Sequence, residues 1–439
     1  MRPATGPLRL SPATVLVQAL ALSLGAAVSL GLARFSYALL LGPMRADLGW
    51  SYLSAGVMNT ANAAGYLLGA LLMPRLLARF GPRAALVGGG LATAVLLCLH
   101  GLVRADPLLM GLRVASGAAS AATFVAGGLL AARLGSRAIA HTVAHTVAHT
   151  VAHTPGSSRR MPSAGLVLGL YYGGTGLGII ASACLVPALT EPALSGGWAT
   201  GWQTGWQTGW QSAWQALGAL ALVMTGLMAW GTPVDGPVGS AVAGASAGLP
   251  WRRLAAGLVA YGLFGLGYIG YMTFIVSLLQ EQHLGSGLIV AFYVTLGGGV
   301  LASGGLWAGV LQRWRGGQAM AVLNGLLALA TVLPVLSQHP VAVFGSGALF
   351  GAVFLSVVAS TTALVRHNLP PAAWPRGISA FTIVFALGQI AGPSLVGQIA
   401  DGPGGLARGL LVSAAMLALA ALLALGQRPL QDAARPPGS

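Results

Sequence analysis

Lysine is absent from this chain of 439 residues, and aspartate and glutamate together number only 7. Charged residues make up 7% of the sequence, against about 25% in an ordinary soluble domain. A water-facing surface cannot be built from so little charge, which excludes a soluble enzyme. Disorder is excluded for the opposite reason: it needs low hydrophobicity and high charge, whereas 56% of these residues are hydrophobic. Cysteine is scarce. Cys98 and Cys184 each lie inside an apolar run and read as small core residues, not as a disulfide or metal ligands. Glycine is plentiful, with 66 residues, but follows no G-X-Y period, so a collagen is excluded. What fits is a polytopic membrane protein.

The positive charge is all arginine, giving a formal net charge of +15. The arginines fall between apolar segments and form no single basic face, which argues against a nucleic-acid partner. A lysine-free chain rich in Ala, Gly and Arg fits a GC-rich bacterial genome. Runs of ~20 apolar residues can cross a bilayer as helices. Twelve are expected, over 13–43, 52–74, 84–103, 107–132, 164–189, 213–231, 254–280, 286–311, 318–337, 340–365, 374–400 and 405–426. The first reads as a retained helix, since it lacks a short apolar core with a small-residue cleavage site. With both termini cytoplasmic, 17 arginines lie inside and only Arg45, Arg104 and Arg408 outside. That is the asymmetry the positive-inside rule asks for, and a bacterial inner membrane is the expected location.

The two halves repeat one another. Gly31–Tyr37 aligns with Gly265–Tyr271 at an offset of 234. The same offset carries Arg79 onto Arg313, Gly111 onto Gly345 and Gly117 onto Gly351. The expected fold is therefore an all-α membrane protein, with twelve transmembrane helices in two six-helix halves. Residues 1–231 form the first half, 232–253 a Gly/Ser/Ala/Pro-rich cytoplasmic linker, and 254–439 the second half. Parallel repeats of this kind place a substrate site near the midplane, between the halves. Two tandem tracts interrupt the first half. Residues 140–154 repeat Ala-His-Thr-Val, and 197–215 repeat Gly-Trp-Gln-Thr. His141, His145, His149 and His153 at i, i+4 spacing could hold a divalent metal on a helix. Repeat expansion in a tolerant loop accounts for them without one, so no metal and no cofactor is expected. The tryptophans of the second tract suit a membrane interface.

The apolar runs hold almost no charge. Six of the seven acids fall in loops, and the nearest to a buried proton relay is Glu281, at the end of the seventh run. Two cations do lie within runs: Arg34 in the first and Arg113 in the fourth. Each costs at least ~2.5 kcal/mol at the midplane and needs a partner. Guanidinium groups facing a cavity favour carboxylate or phosphate ligands, and Arg34 is the stronger candidate. Arg113 is nearer the outer face, where a long side chain can snorkel. Polar and aromatic residues also gather within the runs: Tyr37, Asn59, Asn62, Tyr66, Tyr171, Tyr172, Tyr261, Tyr268, Tyr271, Thr273, Tyr293 and Gln389. Asn59, Asn62 and Tyr66 share one helical face. Together they suggest a polar central cavity.

Several stretches resemble a known family. Gly31–Tyr37, Asn62–Gly69, Tyr268–Phe274 and Gly388–Pro393 look like the YbfB/YjiJ-type branch of the major facilitator superfamily. Ala78-Arg79-Phe80-Gly81-Pro82-Arg83 is similar to the superfamily's signature between helices 2 and 3, with Ala78 where an acid is usual. The resemblance implies a gating role for Arg79, Gly81 and Arg83. Arg113-Val114-Ala115-Ser116-Gly117 is similar to a helix-4 motif associated with proton coupling, which implies a coupling role for Arg113. Gly173–Gly178 only loosely resembles the antiporter motif and lacks its Gly-Pro pair. The expected function is secondary active transport of a small organic solute by alternating access, with an anionic or amphoteric substrate favoured. The expected binding residues are Arg34, Tyr37, Asn62, Tyr66, Tyr268, Tyr271, Thr273 and Gln389, and the expected partners are the solute, the lipid bilayer and a co-transported proton. The alternatives are an efflux pump for cationic or lipophilic drugs, which would want a buried acid, and a non-transporting sensor on the same fold. An intramembrane enzyme would need a buried nucleophile or acid/base cluster that the runs do not contain.

Overall fold

In the computed structural model, residues 11–152, 161–190, 209–232 and 248–430 are described, with side chains for all of these but 141–152. Twelve helices are long and apolar enough to cross a membrane, and no strand occurs among the described residues. Numbered as spans 1 to 12, they are Pro12–Leu48, Tyr52–Phe80, Pro82–His100, Asp106–Ala140, Ala164–Thr190, Gly209–Gly231, Trp251–Glu281, Ser286–Arg313, Gln318–Leu336, Pro340–Asn368, Pro371–Ala400 and Gly405–Leu425. An even number puts the start of span 1 and the end of span 12 on one face of the bundle, here the terminal face. The opposite one is the far face. Most of the expected linker and the tract residues 197–208 fall outside the described residues. The helix of span 4 continues to Ala152, through most of the histidine tract.

Glycine decides where spans cross. Gly31 of span 1 packs on the backbone of Gly178 of span 5, and Gly174 packs on the carbonyl of Ser23. A methyl group at any of these would collide with main chain, so no larger residue permits the approach. The repeat offset has a physical counterpart. Gly117 of span 4 abuts the carbonyl of Asn62 in span 2, and Gly351 of span 10 abuts that of Leu296 in span 8. Both members of the second contact stand 234 residues beyond those of the first.

Spans 1 and 7 are the most enclosed helices. Span 1 is not α-helical throughout: Ala27–Phe35 is a π-helix between α-helical ends. There the Ser36 N–H donates to the Gly31 carbonyl, five residues back, at 3.1 Å. Such widened turns leave carbonyls for other donors and often mark functional positions. The Ala33 and Phe35 carbonyls accept from Arg113 and Tyr293.

The far face is sealed. Gly56 of span 2 abuts the Pro393 carbonyl, and Gly397 of span 11 abuts the Tyr52 carbonyl. The Asp401 carboxylate accepts the N–H groups of Tyr52 at 2.7 Å and Leu53 at 2.9 Å, capping span 2 from the opposite half. The Tyr52 hydroxyl donates to Glu281, and the Arg45 guanidinium lies 3.7 Å over the Tyr52 ring. One tyrosine thus ties four spans together.

Three expectations are corrected here. Cys184 is exposed, while Cys98 is half-buried beside the Gln215 carbonyl. Span 6 begins at Gly209, and its Trp210 and Trp214 are buried in the bundle, not placed at an interface. Their indole N–H groups donate to Asp47 at 2.8 Å and to the Met44 sulfur at 3.4 Å, as buried tryptophans need. Glu281 belongs to the far-face seal and does not reach the middle of the bundle.

Candidate functional site

Arg34 lies at the end of the π-helical segment, buried to 3% exposure. Its Nη2 donates to Gln389 Oε1 of span 11 at 2.9 Å, and Gln389 Nε2 donates to the Tyr268 hydroxyl of span 7. The guanidinium also stands 5.6 Å from the Tyr66 ring centroid of span 2. Four spans from both halves therefore converge on one cation. Its Nε is buried with no partner, and no ion pair to it occurs among the described residues. Arg34 and Tyr268 are also equivalent positions of the 234-residue repeat.

Arg113 is as deeply buried but has more acceptors. Its exposure is 2%, so it does not snorkel to the outer face. Nε donates to the Met58 carbonyl, Nη1 to the Ala33 carbonyl and Nη2 to Asn59 Oδ1, each at 3.2 Å. Its plane lies 4.5 Å over the Tyr37 ring and 5.8 Å from that of Trp214. Every nitrogen has an acceptor inside the first half. This arginine braces spans 1, 2 and 4.

The other expected binding residues divide between these two centres. Tyr66, Tyr268 and Gln389 join Arg34. Tyr37 joins Arg113 and donates to the Ala55 carbonyl at 2.9 Å. Asn62 donates to the Arg113 carbonyl and to Ser116, both at 3.2 Å. Thr273 accepts from Asn59 Nδ2 at 2.6 Å, linking span 7 to the same network. Tyr271 stands apart: its hydroxyl pairs with Ser346 at 2.6 Å, and its ring stacks on Phe350 at 4.0 Å within the second half.

Among the residues expected to gate, Arg83 donates to the Ala229 and Thr232 carbonyls at 2.9 and 3.1 Å. It closes the end of span 6 in its own half, as a cation near a helix C-terminus does. Gly81 supplies a left-handed φ of 76° between spans 2 and 3. Arg79 lies over its neighbour Phe80.

Sequence reasoning passed over the phenylalanines. On the terminal side of Arg34, Tyr268 lies within a run of nearly parallel rings. Phe264 is 4.9 Å away, Phe385 5.7 Å and Phe354 6.0 Å, at interplanar angles of 21°, 16° and 10°. Tyr261 extends the run, 4.9 Å from Phe385. Across from it, Tyr66, Phe124, Tyr171 and Tyr172 form a second aromatic cluster. Spacing would have shown Tyr261, Phe264 and Tyr268 on one helical face at i, i+3, i+7. Phe385 had no such signal, because only the crossing of spans 7 and 11 brings it there.

No curated protein sequence is similar enough to match this chain. Solved structures are similar in fold. A bacterial homologue of the human lysosomal transporter Spinster, in an inward-facing and unoccupied conformation, has a TM-score of 0.67 at 14% identity, covering 98% of this chain and 100% of its own. The nucleoside transporter NupG matches with a TM-score of 0.67 at 14% identity, covering 94% of this chain and 98% of its own. The family model described as the uncharacterised MFS-type transporter YbfB matches residues 26–425. With twelve membrane-spanning helices around a polar midpoint, the chain belongs to this YbfB-like family of major facilitator transporters.

Proposed function

We propose that the protein is a secondary transporter that moves a small organic anion by alternating access, with Arg34 as the binding cation. The observation that carries this reading is Arg34 itself. A guanidinium in the middle of the bundle has a neutral partner, Gln389, and a buried Nε without any. Such a charge in a membrane calls for a counter-ion, and the described residues supply no acid there. A carboxylate oxygen would complete the set. Tyr268, Gln389 and Tyr66 position the guanidinium, and both halves contribute to it.

The sealed far face and the aromatic walls on the terminal side describe one end state of the cycle. The other requires Asp401 to leave the start of span 2 and Glu281 to leave Tyr52. The arginine asymmetry orients the terminal face to the cytoplasm of a bacterial inner membrane. The Arg79–Arg83 loop then acts on span 6 of its own half.

The test is thermal unfolding of the detergent-purified protein with carboxylates, phosphorylated compounds, amino acids, sugars and lipophilic cations. Ligand at a hundredfold excess over its dissociation constant adds about 2.7 kcal/mol to apparent stability. A shift from carboxylates that is lost in Arg34→Gln supports the reading. Shifts from sugars or lipophilic cations alone, unchanged in Arg34→Gln, overturn it.

A further inference from the structure

We infer that the Arg34 site takes a planar, ring-bearing monocarboxylate, an inference that rests on the anion reading above and narrows it. Three observations converge. The first is charge. Each Arg113 nitrogen already has an acceptor in its own half, which leaves Arg34 Nε as the one buried guanidinium nitrogen without a partner among the described residues. One open nitrogen takes one carboxylate oxygen. A second carboxylate on the same solute would find no such nitrogen.

The second is polarity. The polar side chains at Arg34 are already paired: Gln389 is spent on Arg34 through Oε1 and on Tyr268 through Nε2. Beyond them, Tyr37, Asn59, Thr273 and Tyr271 are also paired, within the Arg113 network and the second half. A sugar entering here would leave hydroxyls without partners.

The third is the shape of the walls. Tyr268, bonded through Gln389 to Arg34, lies within a run of rings held within 21° of parallel with it. Tyr66, 5.6 Å from the guanidinium, and Phe385 in the parallel run are both only partly buried. A flat ring can stack beside these rings while its carboxylate reaches Arg34. Ring contacts add about three- to tenfold in affinity beyond the area they cover.

The experiment measures binding of four matched probes to the full-length protein in detergent, by calorimetry: 2-naphthoate, decahydro-2-naphthoate, naphthalene-2,6-dicarboxylate and 2-naphthamide. The expected order puts 2-naphthoate at least threefold tighter than its saturated counterpart, with the dicarboxylate weaker and the amide not bound. Phe385→Leu should erase the preference for the flat ring while keeping decahydro-2-naphthoate affinity. Should that variant not fold, the wild-type ratio decides alone. Equal or tighter binding of the saturated acid or of the dicarboxylate overturns the inference and leaves the anion reading standing. Binding of the amide as well as the acid, or of none of the carboxylates, overturns both.

Discussion

The two buried arginines lie in the same bundle, and their surroundings are opposite. Arg113 is surrounded: three acceptors, a tyrosine face and a tryptophan edge occupy it. Arg34 is under-supplied, with one neutral acceptor and an unpartnered Nε. Burial alone does not separate them, since both are nearly inaccessible. The number of acceptors does. An acceptor at each nitrogen ties Arg113 to its own half. The proposed binding cation lies between the halves, with one nitrogen unpartnered.

Removing Arg113 should have the largest effect. Arg113→Gln strips charged donors from three buried acceptors, and hydrogen bonds to charged groups contribute about 1.5–3 kcal/mol each. The expected result is loss of most monodisperse protein on size-exclusion chromatography. A variant with wild-type yield and thermal stability would mean that Arg113 is not a brace and that the contrast between the two arginines is wrong. Arg34→Gln comes next. It should fold normally, because the surrounding Gln389–Tyr268 pair remains, and should lose roughly ten- to hundredfold in carboxylate affinity. Arg34→Lys should recover part of it, keeping charge without the planar fork.

The far-face seal permits two smaller tests. A side chain at Gly56 would run into the Pro393 carbonyl. Gly56→Val should hold that face ajar, so that a cysteine introduced at Thr60 reacts with an impermeant maleimide only in that background. Equal labelling with and without Gly56→Val would show that the glycine contact does not close the face. The smallest effect is expected at Asp401. Burial alone would raise its carboxyl, but the Leu53 and Tyr52 N–H groups, the Ser51 hydroxyl and the Arg45 charge outweigh it and hold it below its ordinary value. A carboxyl depressed in the folded state stabilises above its unfolded value, near 3.9, and that stabilisation is lost as pH falls through the depressed one. Asp401→Asn should therefore cost at most about 1 kcal/mol at neutral pH. The gap in melting temperature between it and wild type should close on acidification. A gap independent of pH would assign the contact to shape and not to charge.

Much of the architecture was legible along the chain because hydrophobic length is a local property. The number of spans and their order needed no tertiary information, and Arg34 stood out because a charge in an apolar run is costly wherever it ends up. The site was only half legible. Tyr66, Tyr268 and Gln389 were expected beside Arg34 and are there. Tyr37, Asn62 and Thr273 were assigned to the same cavity and instead belong to the Arg113 network. All of these residues lie on inward faces of inner spans, and the sequence carries no information on which inward residue meets which. Phe385 and Phe264 went unremarked, because a phenylalanine in an apolar helix looks the same whether it faces lipid or a cavity.

What the sequence determined by itself is what depends on composition and period: a membrane chain without lysine, twelve apolar helices, a 234-residue repeat, and two cations that cannot face lipid. What only the tertiary structure decided is what depends on crossing points. Glycines at Gly31, Gly174 and Gly178 let spans 1 and 5 approach at backbone distance, and a π-helical segment reorients the carbonyls beside Arg34. Those crossings gave each Arg113 nitrogen an acceptor and left the Arg34 Nε without one. Acceptors come from other helices, so no single stretch of chain can say which arginine will be satisfied.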